Sequence, residues 1–526
     1  MFLTVRAGLP IISHSQILLR RCNRFLDVSR HMGDDVTAGD AKSCREVAAR
    51  PFEEIPGPRS FPVIGTLLNY LPIVGKYSFD RLHRNGHLKL REYGPLVREE
   101  IVPGVNLVWV FTPEDIEMVY RSEGRYPERR SHLAIQKYRG DHPEIYNTGG
   151  LLPTNGPEWW RLRSLFQKAL SRPQNVKLYI KDTDTVMQQF VDVVRKKAQT
   201  SPEDFLPLLS HVFLELVGLV AFDAQLDGLS EAGLAPTSRA SQLIEAAETT
   251  NNCIISLDNG LRLWRWIETP LYNKMKKAHQ YMESVAVELV SQKKIAMEKN
   301  LNQSDEGQAS LLELYLSTPE LDIKDVVGMA VDMILAGMDT TSFSSSFALY
   351  HLATNPSSQQ KLYEESCQLL PNSNTPITAA ILSKAQYAKA VLKETFRLNP
   401  ISVGIGRILP QDTVLSGYHV PKGTVVVTQN QVTCQLEEYF TEAKAFLPER
   451  WLKDHALYQQ TSPYLVLPFG HGPRTCIARR LAEQNMLILL LKLVRHFEIG
   501  WCGGNLDCRY FPNKPDQPVL LSFKER

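Results

Sequence analysis

The sequence predicts a mainly α protein with small β-sheets. Strand signals are few and fall towards the two ends of the chain. The long middle has helical period, and no Gly/Ser-rich or charge-rich linker divides it. One folded domain over residues 51–526 is therefore expected, behind an N-terminal leader over residues 1–50.

The leader reads MFLTVRAGLPIISHSQILLRRCNRFLDVSR, with Arg6, Arg20, Arg21 and Arg24 and no acid before Asp27. Pro10, Ser13, His14 and Ser15 break its apolar stretches, so it cannot supply the roughly twenty apolar residues of a spanning helix. An Arg-rich, acid-poor, partly amphipathic leader fits a mitochondrial transit peptide; the competing reading is a disordered tail. PFEEIPGPRSFPVIG, residues 51–65, is too proline-rich for helix interior and reads as an extended lead into the fold.

LVREEIVPGVNLVWVF, residues 96–111, predicts a strand, a tight turn at Pro103–Gly104 and a second strand. GYHVPKGTVVV, residues 417–427, predicts another hairpin, turning at Pro421–Lys422–Gly423. Between them lies the longest helix, from about Asp322 to Thr354. Asp322 caps its start and Asn355–Pro356 stops it. At 1.5 Å per residue it is about 50 Å long, enough to cross the molecule. Its centre, ILAGMDTTSFSSS, places Gly337, Asp339, Thr340 and Thr341 inside an apolar helix. Gly is a poor helix former and Thr hydroxyls turn back onto preceding carbonyls, so the hydrogen-bond ladder is expected to loosen there. A core helix with such a midpoint is suspected of holding something; a local kink with a solvated Asp339 is the plainer reading.

The composition sets further bounds. Lys+Arg is 59 and Asp+Glu is 57, a balance that argues against non-specific nucleic-acid binding. At 43% hydrophobic and 22% charged the chain can bury a large core. Its eight cysteines include no C-x-x-C pair, which argues against a zinc ribbon or thioredoxin-type site and fits a reducing compartment. Cys502 and Cys508 read as unbridged. Cys476 stands apart, in FGHGPRTCIARR, between two glycines, a proline and an arginine on one side and two arginines on the other. A buried inert thiol, a disulfide half, a nucleophile and a metal ligand are all open readings of that stretch alone.

Four stretches in order decide between them: AGMDTT with Asp339 and Thr340, KETFR with Glu394 and Arg397, FLPERW with Arg450, and FGHGPRTC with Cys476. Together they resemble the cytochrome P-450 superfamily, the haem-thiolate monooxygenases, over about residues 51–526. The resemblance implies the fold of that family, with the long central helix over a haem b. It makes Cys476 the axial thiolate, a donor that pushes electron density towards O–O cleavage. Phe469 is then expected against the haem edge, and Arg474, Trp159, Arg163 and Arg407 around the propionates. Glu394, Arg397 and Arg450 are expected to form a buried ion-pair network with a structural job. Asp339 and Thr340 are expected to deliver protons, with Gly337 making room for dioxygen. One departure is visible: Ala478 stands where the family usually has glycine.

The leader and two lysines point to the family's mitochondrial branch. Lys389 and Lys393 lie four apart on one helical face, where that branch docks an acidic 2Fe-2S ferredoxin of the adrenodoxin type, itself served by an NADPH ferredoxin reductase. Arg479 and Arg480 match further basic positions of the same face; a plain solvated face is the alternative. NGLRLWRWIETPLY, residues 259–272, carries Leu261, Leu263, Trp264, Trp266 and Ile267 with Arg262 and Arg265. It falls where the family's access loop touches lipid, implying a peripheral contact with the matrix side of the inner membrane; its composition suits a core helix nearly as well. EEIVPGVNLVWVF, EGRYPERRSHLAIQKYR and GGLLPTNGPEWWRLR resemble the arthropod ecdysteroid 22-hydroxylases within the family. This implies hydroxylation of a sterol side chain at carbon 22 in ecdysteroid synthesis. Another sterol position, a xenobiotic substrate, and a haem-binding or sensor protein without oxygenase activity are the alternatives. The resemblance places His132 to Tyr138, Ser402 to Ile405 and the segment at 510–511 in substrate-contacting regions.

Overall fold

The computed structural model describes residues 49–526 apart from 72, 74, 102, 200, 261, 301–307, 510 and 511. The leader through residue 48 and the pair at 510–511 lie outside the described residues. Eight helices position the site: α1 (Leu133–Gly140), α2 (Gly156–Leu170), α3 (Leu206–Ala221), α4 (Arg239–Asn259), α5 (Pro270–Asn300), α6 (Ile323–Thr354), α7 (Gln386–Leu398) and α8 (Arg479–His496).

The central helix α6 starts and stops where its sequence signals stand. The Asp322 side chain accepts from the first turn while Asp325 bonds back to the Asp322 N–H, a reciprocal cap, and Asn355 ends the helix before Pro356 opens the next one. Val331, Ile334, Met338, Leu349 and Leu352 are all fully buried. Helices α3, α4, α5, α7 and α8 pack around α6, so most of it is buried, polar residues included. It is the one described helix long and apolar enough to cross a membrane, and 78% of that apolar window is buried inside the fold.

Strands β1 (Leu96–Glu99) and β2 (Leu107–Val110) form the antiparallel pair that the Pro103–Gly104 turn implies, with Leu96 opposite Val110. The second hairpin is different. Strands β4 (Thr413–Leu415) and β5 (Tyr418–Val420) pair with each other, and the turn at 421–423 delivers the chain into another sheet. There β6 (Val425–Thr428) runs parallel to β2 and antiparallel to β3 (Gly406–Ile408), giving the order β1-β2-β6-β3. The cause is burial. In β5 His419 is exposed between two buried neighbours, which suits a two-stranded ribbon. In β6 Val425, Val426 and Thr428 are buried, a pattern that calls for strands on both sides. Two short pairings complete the C-terminal part: β7 (Phe497–Trp501) with β10 (Leu521–Glu525), and β8 (Cys508–Arg509) with β9 (Lys514–Pro515).

Candidate functional site

Cys476 sits in a tight loop running from Leu467 to the start of α8. Its N–H donates to the Phe469 carbonyl at 2.7 Å, and the Gly470 N–H donates to Leu467 O at 3.0 Å. Gly470 and Gly472 hold φ of 76° and 69°, a region that disfavours side chains. A Cβ on Gly472 would meet the Glu123 carboxylate at 2.8 Å. Ala478, by contrast, has φ −96° and ψ 14°, outside the left-handed region, so its backbone does not require the missing glycine. Cys476 is exposed on its open side, yet the protein packed around it, the largest influence, pushes its thiol up by desolvation; the Ala478 N–H and the Arg163 and Arg479 guanidinium groups pull it back down. Those are the groups that would favour a thiolate over a thiol. Phe469 packs edge-on against Phe396 of α7 at 5.3 Å, tying the loop to that helix.

Beside the loop four arginines gather. Arg474 is buried, donates to Pro127 O, Thr154 O and Asn155 Oδ1 at 2.5–2.7 Å, and lies 4.2 Å over the Trp159 ring. Its Nη1 is buried with no partner among the described residues. Burial, then Arg129 and Arg407, push its pKa down to about 8; Arg129 and Arg163 are pushed down to about 10, each chiefly by burial. Such clustering calls for an anion. A haem brings two carboxylates on one edge, and the orphaned Nη1, the converging cations and the nearby Cys476 sulfur fit it. Arg407 is less available than its motif position suggests: it is paired with the buried Glu123 and also donates to Gly406 O and His471 O. Glu123, Arg129 and Asn155 escaped the sequence reading, since nothing in a local pattern marks them.

Behind α7 the structure brings together Glu394, Arg397 and Arg450, with side chains 0–3% exposed. Arg397 grips Glu394 with two bonds of 2.8 and 2.9 Å and donates to the carbonyls of Cys434, Ala443 and Ala445. Arg450, the Leu447 N–H and the Trp451 indole complete the carboxylate's shell.

At the midpoint of α6 the helix stays α-helical throughout; the ladder does not open. The carbonyls instead accept second bonds. Thr340 Oγ1 donates to Ala336 O at 2.6 Å, Thr341 to Gly337 O, and Ser342 to Met338 O. Gly337 turns to helix α3, where a Cβ would meet Val217 at 3.0 Å. Its bareness lets α3 pack closely at this level. Asp339 is buried, not solvated, and receives the Asn251 amide of α4 at 2.8 Å. Burial raises its pKa to about 7.

That shift carries a stability prediction. The folded-state pKa lies above the unfolded value of about 3.9, so the folded form binds the proton more tightly. The contribution is favourable at low pH and is lost as pH rises from about 4 through about 7, a loss on the order of 4 kcal/mol at most. Asp339→Asn cannot ionise. Its melting temperature should therefore gain on that of the parent from pH 5 to pH 8, whereas a gap independent of pH would refute the shift.

The remaining positions separate by exposure. Lys393, Arg479 and Arg480 are exposed, while Lys389 is partly buried with its Nζ on Ser383 O at 2.7 Å. Glu483 holds Arg479 at 3.1 Å, and Arg480 donates to Ser171 O. In the 259–272 stretch Trp264 is core, stacked on Tyr272 and bonded to Leu257 O, whereas Trp266 and Ile267 are 78% and 62% exposed. One further cluster has metal-ligand chemistry: His83, Asp507 and Cys508. Its histidine meets the thiol through Nδ1 and the carboxylate through Nε2, so the three groups satisfy one another. Burial pushes the Cys508 thiol up to about 12, against the Gln431 amide, which donates to its sulfur and pulls the other way; burial prevails and the thiol stays protonated.

Comparison with known proteins agrees with this geometry. A family model described as Cytochrome P450 matches residues 55–518. The chain is 48% identical over 482 residues to Cytochrome P450 302a1, mitochondrial, of Drosophila melanogaster, covering 91% of this chain and 96% of that protein. It is 33% identical over 485 residues to Probable cytochrome P450 301a1, mitochondrial, of the same organism, covering 90% and 87%. Probable cytochrome P450 12a5, mitochondrial, also from that fly, is 32% identical over 501 residues, 91% of each chain.

Proposed function

Since the chain belongs to the cytochrome P450 family of haem-thiolate monooxygenases, we propose that it hydroxylates a steroid side chain, at carbon 22 of an ecdysone precursor, in the mitochondrion. The observation that carries the reading is where its likeness to arthropod ecdysteroid 22-hydroxylases falls. The stretches 123–139 and 149–163 supply Arg129, Asn155, Trp159 and Arg163 and the helix α1. They border the cysteine loop through Arg474 and reach α6 through the Arg139–Asp332 ion pair at 2.8 Å.

When bound, the haem supplies dioxygen activation and the oxidising equivalent for a C–H bond. The chain supplies the rest. Cys476 would hold the haem iron through its sulfur, and Phe469, whose carbonyl accepts the Cys476 N–H, holds the loop in shape. Arg474, Arg163 and Trp159, with Arg129, would hold the propionate edge, and Arg407 would join them only as far as its pairing with Glu123 allows. Asp339, half-protonated near neutral pH, can both give up and regain a proton, which is the condition for an acid that turns over. The Thr340 hydroxyl donates its proton to Ala336 O, so its oxygen is left to act as an acceptor. Glu394, Arg397 and Arg450 hold α7 in place, and α7 braces the cysteine loop through Phe396. Leu263, Trp266, Ile267 and Leu271 with Arg262 and Arg265 form an exposed apolar and basic patch suited to the matrix face of the inner membrane, from which a sterol can enter.

A 2Fe-2S ferredoxin, reduced through an NADPH-dependent reductase, is the proposed electron donor, docking at Lys389, Lys393, Arg479 and Arg480. The exposures rank the lysines. Lys393→Gln should raise the ferredoxin concentration for half-maximal rate more than Lys389→Gln, and added salt should shrink the difference. Equal ferredoxin dependence in parent and double variant would place the site elsewhere.

The substrate is tested by reconstitution with ferredoxin, its reductase and an ecdysteroid precursor lacking the 22-hydroxyl, with the product identified by mass spectrometry. A product hydroxylated at carbon 22 is expected. Hydroxylation at carbon 2 or 25, or turnover of another lipid alone, would overturn the substrate and leave the monooxygenase intact.

A further inference from the structure

Two bonds cross from α4 to the midpoint of α6, and one residue makes both. The Asn251 amide donates to Asp339 Oδ2 at 2.8 Å and to Leu335 O at 3.0 Å. Leu335 is the residue whose carbonyl closes the helical turn that ends at Asp339. Asn251 is 7% exposed and Asp339 2%, so neither bond is exchanged freely for water. One turn earlier on α4 stands Glu248, paired with Lys514 of β9; their side chains are 36% and 26% exposed. Both charges act on Asp339. Glu248 raises its pKa and Lys514 lowers it, while the Asn251 bond also lowers it, all against burial as the main upward cause. From α3 the neighbour at this level is Val217, which carries no charge.

We propose that Asn251 is a positioning residue of proton delivery, holding the Asp339 carboxyl at the centre of α6 in one orientation, and that the Glu248–Lys514 pair tunes that carboxyl from the partly exposed end of the same arrangement. The inference rests on the proton-delivery reading of Asp339. The physical reason is geometric as well as electrostatic. A buried carboxyl with a single good partner is free to rotate once that partner is lost, and a misdirected proton donor is costly in rate. The Leu335 bond fixes the amide, so the amide can fix the acid. A donor aimed at the carboxylate also favours its charged form, so its removal must strengthen proton binding.

The test uses the haem-loaded protein in three variants, Asn251→Val, Lys514→Met and Glu248→Gln, with Asp339→Asn as the reference that identifies the carboxyl band. Infrared difference spectra between pH values read the protonation of Asp339 directly. Its midpoint should lie near pH 7 in the parent, rise by about tenfold in proton affinity in Asn251→Val, rise by less in Lys514→Met and fall in Glu248→Gln. In turnover, Asn251→Val should divert a several-fold larger share of NADPH electrons to hydrogen peroxide, two electrons and two protons per dioxygen, with substrate binding preserved. A merely structural Asn251 would lower the melting temperature and leave the midpoint and the peroxide share in place; that result overturns the proposal. Lys514→Met is surface-near and keeps the test decisive if Asn251→Val fails to fold: an unmoved midpoint there also overturns it. If the midpoints move as stated while Asp339→Asn itself remains fully coupled, the proton-delivery reading of Asp339 fails, and the proposal with it.

Discussion

Replacing Arg397 with methionine is expected to cost about 3–5 kcal/mol, because it leaves a buried charge without its bidentate partner. Glu394 has no exposed surface, and among the described residues Arg397 is the only side chain that grips both of its oxygens. The same guanidinium also satisfies the carbonyls of Cys434, Ala443 and Ala445, which would be left without that donor. Lysine would not rescue it: a single ammonium cannot bridge a carboxylate and three carbonyls spread over a planar fork. Against a typical total stability of about 5–15 kcal/mol, the loss decides whether the protein is obtained folded. The consequence reaches the thiolate, since α7 carries Phe396 against Phe469 of the cysteine loop. Denaturant unfolding of parent and Arg397→Met measures the cost. A change below about 1 kcal/mol would show that Arg450, Trp451 and the Leu447 N–H satisfy Glu394 by themselves.

Local signals were legible in the sequence, and partnerships between distant segments were not. The start and stop of α6 are local, a capping aspartate and a proline, and both fell in the right place. The Pro103–Gly104 turn is local and formed its hairpin. The 421–423 turn is just as clear, yet β6 pairs with β2, more than 300 residues earlier, because a strand buried on both faces takes whatever edge the fold presents. The cysteine loop could be read because its glycines and Cys476 are contiguous. Glu123 and Arg129 could not, because a charged side chain declares its partner only once the chain is folded. Trp264 and Trp266 are two residues apart and alike in sequence, but one is core and the other exposed. The hydroxyl-rich midpoint of α6 predicted carbonyl bonding by threonine correctly and an opened ladder incorrectly, since a carbonyl has two lone pairs and can accept the hydroxyl without losing the N–H.

The identity of the axial thiolate carries everything else proposed here. Two cysteines lie near candidate ligand chemistry, and their surroundings differ in kind. Cys476 has an accessible sulfur flanked by the Ala478 N–H, Arg163 and Arg479, in a loop beside an arginine cluster with an unpartnered donor. Cys508 is fully buried, bonded to Gln431, and held as a thiol between His83 and Asp507. A thiolate trans to carbon monoxide on reduced haem shifts the Soret band strongly to the red, a readout independent of substrate and ferredoxin. Recording that spectrum for the parent, Cys476→Ser and Cys508→Ser is the most direct test. The red-shifted band should be present in the parent and in Cys508→Ser and absent in Cys476→Ser; its survival in Cys476→Ser would contradict the assignment.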